Sequence, residues 1–411
     1  MKNSLGVAAM AAALTPFAAQ AKPLTFDAAI AESRANAPSI RARALGVEAT
    51  QSSIEAAGRL PDPQVSVGIE SFPISGPLAF HPNRDDFTMV RIGFSQDIPS
   101  PAKRRARVGR AQSEIASAQA AGGVEARNVE VSAALAWIDL AYAQRRLTAL
   151  DRVTARLARY VSAAPSAVAS GRARPAQVLA GRQALAILAD RRSELVAKIG
   201  RAKAELTRWT GDSEPQIDGP LPDFGVDSEA LRAGLDRNPA LAMFGAQVRQ
   251  ADANVDLARA EKRPDFGVNV AFQRRDPRFG DYVSAGVTVS LPLFAKKRQD
   301  PLIAAASASA SAARADQDAA RQALDAQLDA GLVDHIMHHD QWMRARDTLQ
   351  PLTEKRVALE TASYGAGRAS LTDVVDAHAA LADAVLNTLD REAAVASDAV
   401  RLTFTYRSAE Q

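Results

Sequence analysis

The sequence repeats itself once over nearly its whole length, and this duplication limits the folds that the chain can adopt. Both halves carry, in the same order, an Asn one or two residues before a Pro, a basic residue before Pro-Asp, an apolar residue before Pro and Lys, and a Gly before Arg-Ala. The matching segments are 36–38 and 238–239, 59–63 and 262–265, 98–103 and 291–296, and 170–173 and 366–369. We predict a first repeat over residues 22–210, a linker rich in Pro, Gly and Asp over 211–227, and a second repeat over 228–411. Each repeat is predicted to form a helix, a pair of strands and two long helices.

Each repeat contains two segments in which apolar and polar residues alternate, and this pattern predicts β-strands with one apolar face. The apolar positions are Val65, Val67 and Ile69; Val90, Ile92 and Phe94; Phe266, Val268, Val270 and Phe272; and Val283, Val287, Val289 and Leu291. Strands of about 9 or 10 residues match tilted transmembrane strands. A half-buried sheet under a layer of helices would give the same pattern in any one strand. Four such strands in an exported, alanine-rich chain favour the membrane.

Four strands are too few for a barrel, because outer-membrane barrels have at least about eight strands and lipid does not tolerate open sheet edges. Several protomers are therefore predicted to share one barrel, and the residues alone allow either two or three chains. The rest of the chain is 47% hydrophobic but only 5% aromatic. This composition is typical of long helices that pack through alanine. A helix from about Pro301 to Tyr364 would be on the order of 90 Å long at 1.5 Å per residue.

The N-terminus has the features of a secretory signal peptide. Lys2 precedes an apolar run over 5–19, and Ala19-Gln20-Ala21 is a small-x-small cleavage site, so residues 1–21 are predicted to be removed. No later stretch reaches the roughly 18 uninterrupted apolar residues of a spanning helix. The chain contains no cysteine, which excludes disulfides and the lipid-bearing cysteine of a lipoprotein. We therefore expect an outer-membrane protein with a periplasmic extension that is held by its fold and is not a lipoprotein.

Catalytic and cofactor-binding patterns are missing from the sequence, which has no Gly-rich phosphate loop, no Gly-x-Ser-x-Gly elbow and no His-Glu-x-x-His pair. The net charge of +3 is small and spread along the chain, which argues against a nucleic-acid partner. His335 and His339 would share a helix face and are the candidate metal ligands. The simpler interpretation is that they are polar residues on the outer wall of a long helix. We predict no enzyme, no cofactor and no metal site.

The segment around the second predicted helix turn resembles a known family. Tyr364-Gly365-Ala366-Gly367-Arg368, followed by Asp373 and Asp376, resembles the tyrosine, glycine and paired aspartates of the TolC-like outer-membrane efflux proteins. The repeated layout resembles that family over residues 24–407. The fold class that this implies is mainly α with a membrane β-barrel portion: a long periplasmic α-helical barrel plus four transmembrane strands per protomer, in a homotrimer that shares one barrel.

The same resemblance implies roles for particular residues. The implied periplasmic gate residues are Tyr364, Arg368, Asp373 and Asp376, and the helix-turn tips are Gly171 and Gly367. In the first repeat, Gln177 and Ala180 occupy the positions of the two aspartates. One carboxylate pair per protomer is therefore predicted.

The segment from Gln96 to Arg104 resembles the CzcC branch of this family, which serves heavy-metal exporters. The resemblance implies a passive export duct of a tripartite RND-type efflux system, with heavy-metal cations as cargo. The implied partners are a periplasmic membrane-fusion adaptor, an inner-membrane RND pump and outer-membrane lipid. General multidrug efflux and type I secretion remain alternatives. A periplasmic coiled-coil adaptor is a further one, although adaptors typically have one hairpin set and no tandem duplication.

Overall fold

The structure is a computed structural model that describes residues 23–171, 173–222 and 225–407. The predicted signal peptide, residues 1–21, lies outside the described residues. The chain divides into two compact units. One is built from residues up to Ser33, Ala136–Asp223 and Leu352–Leu389, and the other from Arg34–Leu135, Phe224–Pro351 and residues from Asp390 onward. Each unit takes segments from both predicted repeats, so the repeat boundaries stay a prediction about the sequence.

Helices form most of the described chain. They are α1 (Phe26–Asn36), α2 (Pro38–Ala57), α3 (Pro101–Ala169), α4 (Pro175–Thr210), α5 (Ser228–Gly234), α6 (Pro239–Ala260), α7 (Ala295–Arg344), α8 (Gln350–Gly365) and α9 (Leu371–Tyr406). A 3-10 turn (Leu235–Arg237) precedes α6, and a π-helical segment (Ala345–Leu349) lies between α7 and α8. None of the helices in the described part of the chain is long and apolar enough to cross a membrane.

Four strands form one antiparallel sheet, which belongs to the second unit. They are β1 (Gln64–Glu70), β2 (Met89–Ile98), β3 (Asp265–Arg274) and β4 (Tyr282–Ser290), in the order β1-β2-β3-β4. β1 has 7 residues and is shorter than predicted. Ser71 directly after it adopts a left-handed conformation with φ of 57°, and its carbonyl accepts a hydrogen bond of 3.0 Å from Thr88 Oγ1. This turn ends the strand.

The apolar positions of all four strands lie on one face of the sheet. Val65 pairs with Phe94 and Val268 pairs with Val287, so apolar residues stand opposite one another across the strands. The face is exposed: Val67 has 71% of its surface accessible and Val283 has 73%. A sheet covered by helices would bury these side chains, so the interpretation as a half-buried sheet is wrong. A continuous exposed apolar face on a sheet is the surface that lipid covers in a membrane barrel.

The outer edges of β1 and β4 are open. Within the described residues, β1 pairs only with β2, and β4 pairs only with β3. Every residue of β4, and every residue of β1 except Glu70, is exposed. In the central strands, by contrast, Gly93 and Ala271 are buried on the polar face. The edge strands therefore resemble interior strands that lack a neighbour.

The predicted helix from about Pro301 to Tyr364 extends further and is not regular throughout. It begins at Ala295 and contains Pro301 within its second turn. The π-helical segment ends two residues before Pro351. A proline inside an α-helix has no N–H to donate, and its ring clashes with the carbonyl four residues earlier, here that of Asp347. The wider π turn accommodates this proline.

The first unit has a core formed by α3, α4 and α9. Its buried residues include Leu150, Leu157, Leu188, Leu371 and Leu381. His378 of α9 is buried beside this core with 2% of its surface exposed, and its Nδ1 lies 2.9 Å from the carbonyl oxygen of Val374. It packs against the ring of Tyr160 at 5.5 Å. His378 thus serves in helix packing.

Two glycines of α4 allow a test of how tightly this core is packed. A Cβ atom at Gly181 would lie 2.8 Å from Val161 Cγ2, whereas a Cβ at Gly200 would meet no atom within 4 Å. We expect Gly181→Ala to lower the free energy of unfolding by roughly 1 to 2 kcal/mol because the core must shift. Gly200→Ala should raise it by about 0.5 to 1 kcal/mol through helix propensity. Urea unfolding followed by circular dichroism measures both, and equal effects of the two substitutions would contradict the packing.

Candidate functional site at the second helix turn

The turn between α8 and α9 is built on a glycine. Gly367 has φ of +74°, a left-handed conformation that side chains rarely adopt. The N–H of Arg368 donates to the carbonyl of Ser363 at 2.8 Å, and the N–H of Gly367 donates to the carbonyl of Tyr364 at 3.0 Å. These bonds satisfy the last carbonyls of α8 and stop the helix. The chain then reverses and starts α9 within four residues.

Asp373 takes part in the cap that starts α9. Its Oδ2 accepts hydrogen bonds from the backbone N–H of Ser370 at 2.7 Å and from Ser370 Oγ at 2.8 Å. The N–H of Asp373 in turn lies 3.3 Å from Ser370 Oγ, so the two residues form a reciprocal capping box. The hydrogen bonds from the Ser370 backbone and side chain, with a smaller contribution from Arg356, lower the pKa of Asp373 below its ordinary value of 3.8. Asp373 is therefore a carboxylate at neutral pH.

Asp376 lies one turn further along α9 on the same exposed face. The exposed polar residues of this face are Asp373, Asp376, Asp383, Asn387 and Asp390. The carboxylate of Asp383 forms an ion pair with Arg191 of α4. Asp373 and Asp376 are the residues of this face that lie nearest to the turn.

The first repeat also has a left-handed glycine before its second long helix, but it lacks the acidic residues. Gly171 has φ of +73°, and α4 begins four residues later. Gln177 is the third residue of α4, and its Oε1 accepts a hydrogen bond of 3.0 Å from the N–H of Arg174. Gln177 thus fills the capping position that Asp373 fills in the second repeat, but it is neutral. Ala180 stands where Asp376 stands, so the acidic character is confined to the second turn.

The two other predicted gate residues lie in different surroundings. Tyr364, near the end of α8, is partly buried and packs against the buried core of the first unit. Arg368 is exposed beside Gly367 at the turn. The structure therefore places Tyr364 and Asp373 on either side of one turn. Their gate roles stay predictions.

The histidines of α7 do not gather into a metal site. His338 Nδ1 lies 2.6 Å from Asp398 Oδ2, whereas the ring of His339 packs edge-on against Trp342 at 5.7 Å. Burial lowers the pKa of His335 below 6.5, against the opposing charge of Asp398. In the described ranges, no group of three or more His, Cys, Asp or Glu side chains is placed to hold a metal ion.

A buried ionic junction lies where β2 ends and β3 begins. Sequence reasoning missed it. Lys103, in the first turn of α3, has only 6% of its surface exposed. Its Nζ lies 2.5 Å from Asp265 Oδ2 and 3.0 Å from Glu261 Oε2. Asp265 Oδ1 also accepts a hydrogen bond from the N–H of Ser100 at 2.9 Å. The junction ties the start of α3 to the start of β3, 162 residues away.

The duplication in the sequence contained a signal for the junction at Lys103. The basic residue after Pro and the Asp after Pro recur in both repeats, at Lys103 and Lys296 and at Asp62 and Asp265. Basic residues in a first helical turn oppose the helix dipole, since that end favours negative charge. No acidic residue lies in the first turn of α3 or α7. A lysine that opposes the helix dipole and recurs in both repeats needs a compensating negative charge. The aspartate that also recurs in both repeats indicates that the two form an ion pair.

An exposed apolar sheet face, open edges and long helices on the same chain define the protomer of an outer-membrane channel. Residues 230–405 match the family described as "Outer membrane efflux protein". The resemblance to TolC-like outer-membrane efflux proteins that the sequence predicts is confirmed. The chain is an outer-membrane efflux channel with a periplasmic extension.

Relatives and solved structures agree with this assignment. The chain is 24% identical over 373 residues to the cobalt-zinc-cadmium resistance protein CzcC of Cupriavidus metallidurans, covering 88% of this chain and 84% of CzcC. A membrane protein from Pseudomonas aeruginosa is similar in fold, with a TM-score of 0.80 and 14% identity over 93% of this chain and 90% of that one. CusC gives a TM-score of 0.78 at 14% identity over 93% and 92% of the two chains. The predicted fold class is therefore confirmed.

Proposed function

We propose that three copies of this chain form the passive outer-membrane duct of a tripartite efflux system that exports heavy-metal cations. The exposed apolar face of the sheet carries this proposal, because it requires lipid on one side while the two open edges require neighbouring strands. Three chains would supply three times four strands, enough for a closed barrel. The metal cargo is supported by the similarity to a cobalt-zinc-cadmium resistance protein.

The proposed partners follow from the lack of an energy source. A duct moves cargo only downhill, so a pump in the inner membrane must drive export, and an adaptor in the periplasm must join the two. We propose an RND pump and a membrane-fusion adaptor, because family members are channel components of tripartite efflux systems. We propose that the duct has no enzymatic activity.

The proposed gate is the turn that carries Gly367, Asp373 and Asp376. Three-fold symmetry would bring three copies of this acidic face around one axis. Carboxylates crowded in this way attract cations and repel anions. The exposed position of both aspartates supports this role.

The proposed duct is tested by fractionation and conductance. The mature chain should appear in the outer membrane as a detergent-stable trimer, and the purified trimer should form single channels in planar lipid bilayers. A monomer that remains in the aqueous periplasmic fraction would refute the proposal.

The proposed cargo is tested by deletion of the gene. We expect the deletion strain to become more sensitive to cobalt, zinc or cadmium than to dyes and detergents, and to regain resistance when the gene is restored. Minimal inhibitory concentrations of both classes measure the difference. Sensitivity to dyes and detergents alone would favour general multidrug export.

A further inference from the structure

The junction at Lys103 joins the two repeats of one chain. Lys103 belongs to the first repeat and Asp265 to the second, and their contact lies where β2 and β3 run side by side. The duplication gives each of them an equivalent. Lys296 follows Leu291-Pro292 as Lys103 follows Ile98-Pro99, and Asp62 follows Pro61 as Asp265 follows Pro264.

The equivalent residues lie at opposite edges of the sheet. Lys296 is in the first turn of α7, just after β4, and Asp62 lies just before β1. Both are exposed, whereas Lys103 is buried. Among the described residues, no carboxylate lies within 4.0 Å of the Lys296 ammonium. The second junction therefore lacks its other half within one chain.

We propose that, where β4 of one protomer meets β1 of the next in the proposed ring, the two strands take the register of β2 and β3 and Lys296 forms an ion pair with the partner's Asp62. The occupant of each open edge is thus a second copy of this chain. This inference rests on the proposed oligomer, and it adds the register and the ion pair that hold the ring together. Closing the ring in this way repeats the β2–β3 contact at each boundary between chains.

The repeat fixes the register of this pairing. In β2 and β3, Phe94 pairs with Val270 and Ile92 pairs with Phe272. Shifting these pairs to their equivalents in β4 and β1 gives the following partners: Val289 with Val65, Val287 with Val67, and Ala285 with Ile69. Each partner pair is apolar, and the alternate pairs, Thr288 with Ser66 and Gly286 with Gly68, are polar or small. A slip by one residue would set the apolar face of one strand against the polar face of the other.

Apolar residues beyond the strands support the same contact. Leu293 and Phe294, between β4 and α7, each have 77% of their surface exposed, and Leu60, before β1, has 41%. These residues flank Lys296 and Asp62 in the sequence. A neighbouring chain in the proposed register would bring the two sets together and remove them from water.

The register is tested by disulfide trapping, because the chain has no cysteine of its own. Two double variants carry the predicted pairs, Val65→Cys with Val289→Cys and Ser66→Cys with Thr288→Cys. Directly opposed residues lie about 4.5 to 5.5 Å apart, within disulfide reach. The matched control, Val67→Cys with Val289→Cys, is on the same face but displaced diagonally, at about 7 to 8 Å. On oxidation, at least one predicted pair should give covalent dimers and trimers on non-reducing gels, and the control should not.

The ion pair is tested by charge reversal. Lys296→Glu alone and Asp62→Lys alone should each lower the amount of detergent-stable trimer several-fold, because like charges then face each other. The combined variant should restore it. Lys297→Glu is the control, since Lys297 is also exposed in the first turn of α7, and it should leave trimer abundance unchanged.

The outcomes separate this inference from the proposed duct. If the wild-type protein forms trimers but the cysteine variants cross-link through the control pair and not through the predicted pairs, the register is overturned and the duct stays intact. A combined charge variant no better than the single ones overturns the ion pair in the same way. Wild-type protein without any trimer would overturn both.

Discussion

Asp376→Asn is expected to remove much of the cation preference of the channel while trimers form in normal abundance. Asp376 is exposed on α9 near the turn, so its loss leaves the packing of the helix unchanged. In a three-fold ring the carboxylates would hold cations at the entrance, and the neutral amide would not. The reversal potential of single channels in a salt gradient, and block by multivalent cations, measure the effect. An unchanged reversal potential and block would show that this face is only solvated.

Asp373 needs a different substitution, because it also caps the helix. Asp373→Gln should keep the capping box, as Gln177 does in the first repeat, while it removes the charge. Combined with Asp376→Asn, it should lower the cation preference further. Asp373→Glu keeps both the charge and the cap and should behave as wild type. Ala180→Asp should strengthen the cation preference by adding a carboxylate at the first turn.

Lys103→Met is expected to destabilise the protein by about 2 to 3 kcal/mol. Removing one partner from a buried ion pair leaves the remaining carboxylates desolvated and unpaired. The cost falls below that of a fully buried pair because the side chain of Asp265 is 32% exposed and that of Glu261 is 44% exposed. Lys297→Met removes an exposed lysine from the equivalent helix and should change stability little. Urea midpoints of the two variants make the comparison, and equal midpoints would contradict the junction.

The junction should hold across the neutral range of pH. Burial opposes the charge of Lys103, but hydrogen bonds and charges from Asp265 and Glu261 outweigh it and raise the pKa above 10.5. A group with a raised pKa stabilises the fold below its unfolded pKa, and the stabilisation is lost as pH rises through the folded pKa. The difference between wild type and Lys103→Met should therefore persist at neutral pH and shrink above about pH 10.5.

The parts of the fold that depend on local sequence patterns could be predicted. The strands follow from period-two alternation, and the turns from Gly171 and Gly367, since a left-handed backbone favours glycine. The π-helical segment could not be placed in this way. Pro351 indicates a disturbance in the helix, but whether it gives a kink, a break or a π turn depends on the packing around it.

The same distinction between local and long-range features applies to the two sites, the acidic turn and the junction at Lys103. The acidic turn could be recognised because its residues lie close together in the sequence, between Gly367 and Asp376. The junction of Lys103 with Asp265 joins residues 162 positions apart, and neither residue alone differs from an ordinary surface charge. Only the sheet order, with β2 beside β3, brings them together.

The open edges of the sheet have a consequence for how the protein reaches its membrane. A lone protomer in lipid would expose two rows of N–H and carbonyl groups to hydrocarbon, at a cost of several kcal/mol for each unsatisfied group. We therefore expect membrane insertion to be coupled to closure of the proposed ring, and its yield to depend on the concentration of chains. A chain with an intact β1 and a damaged β4 would join one neighbour and then offer no edge to the next. Such a chain would act as a dominant-negative subunit, because it would stop the assembly of rings that wild-type copies had begun.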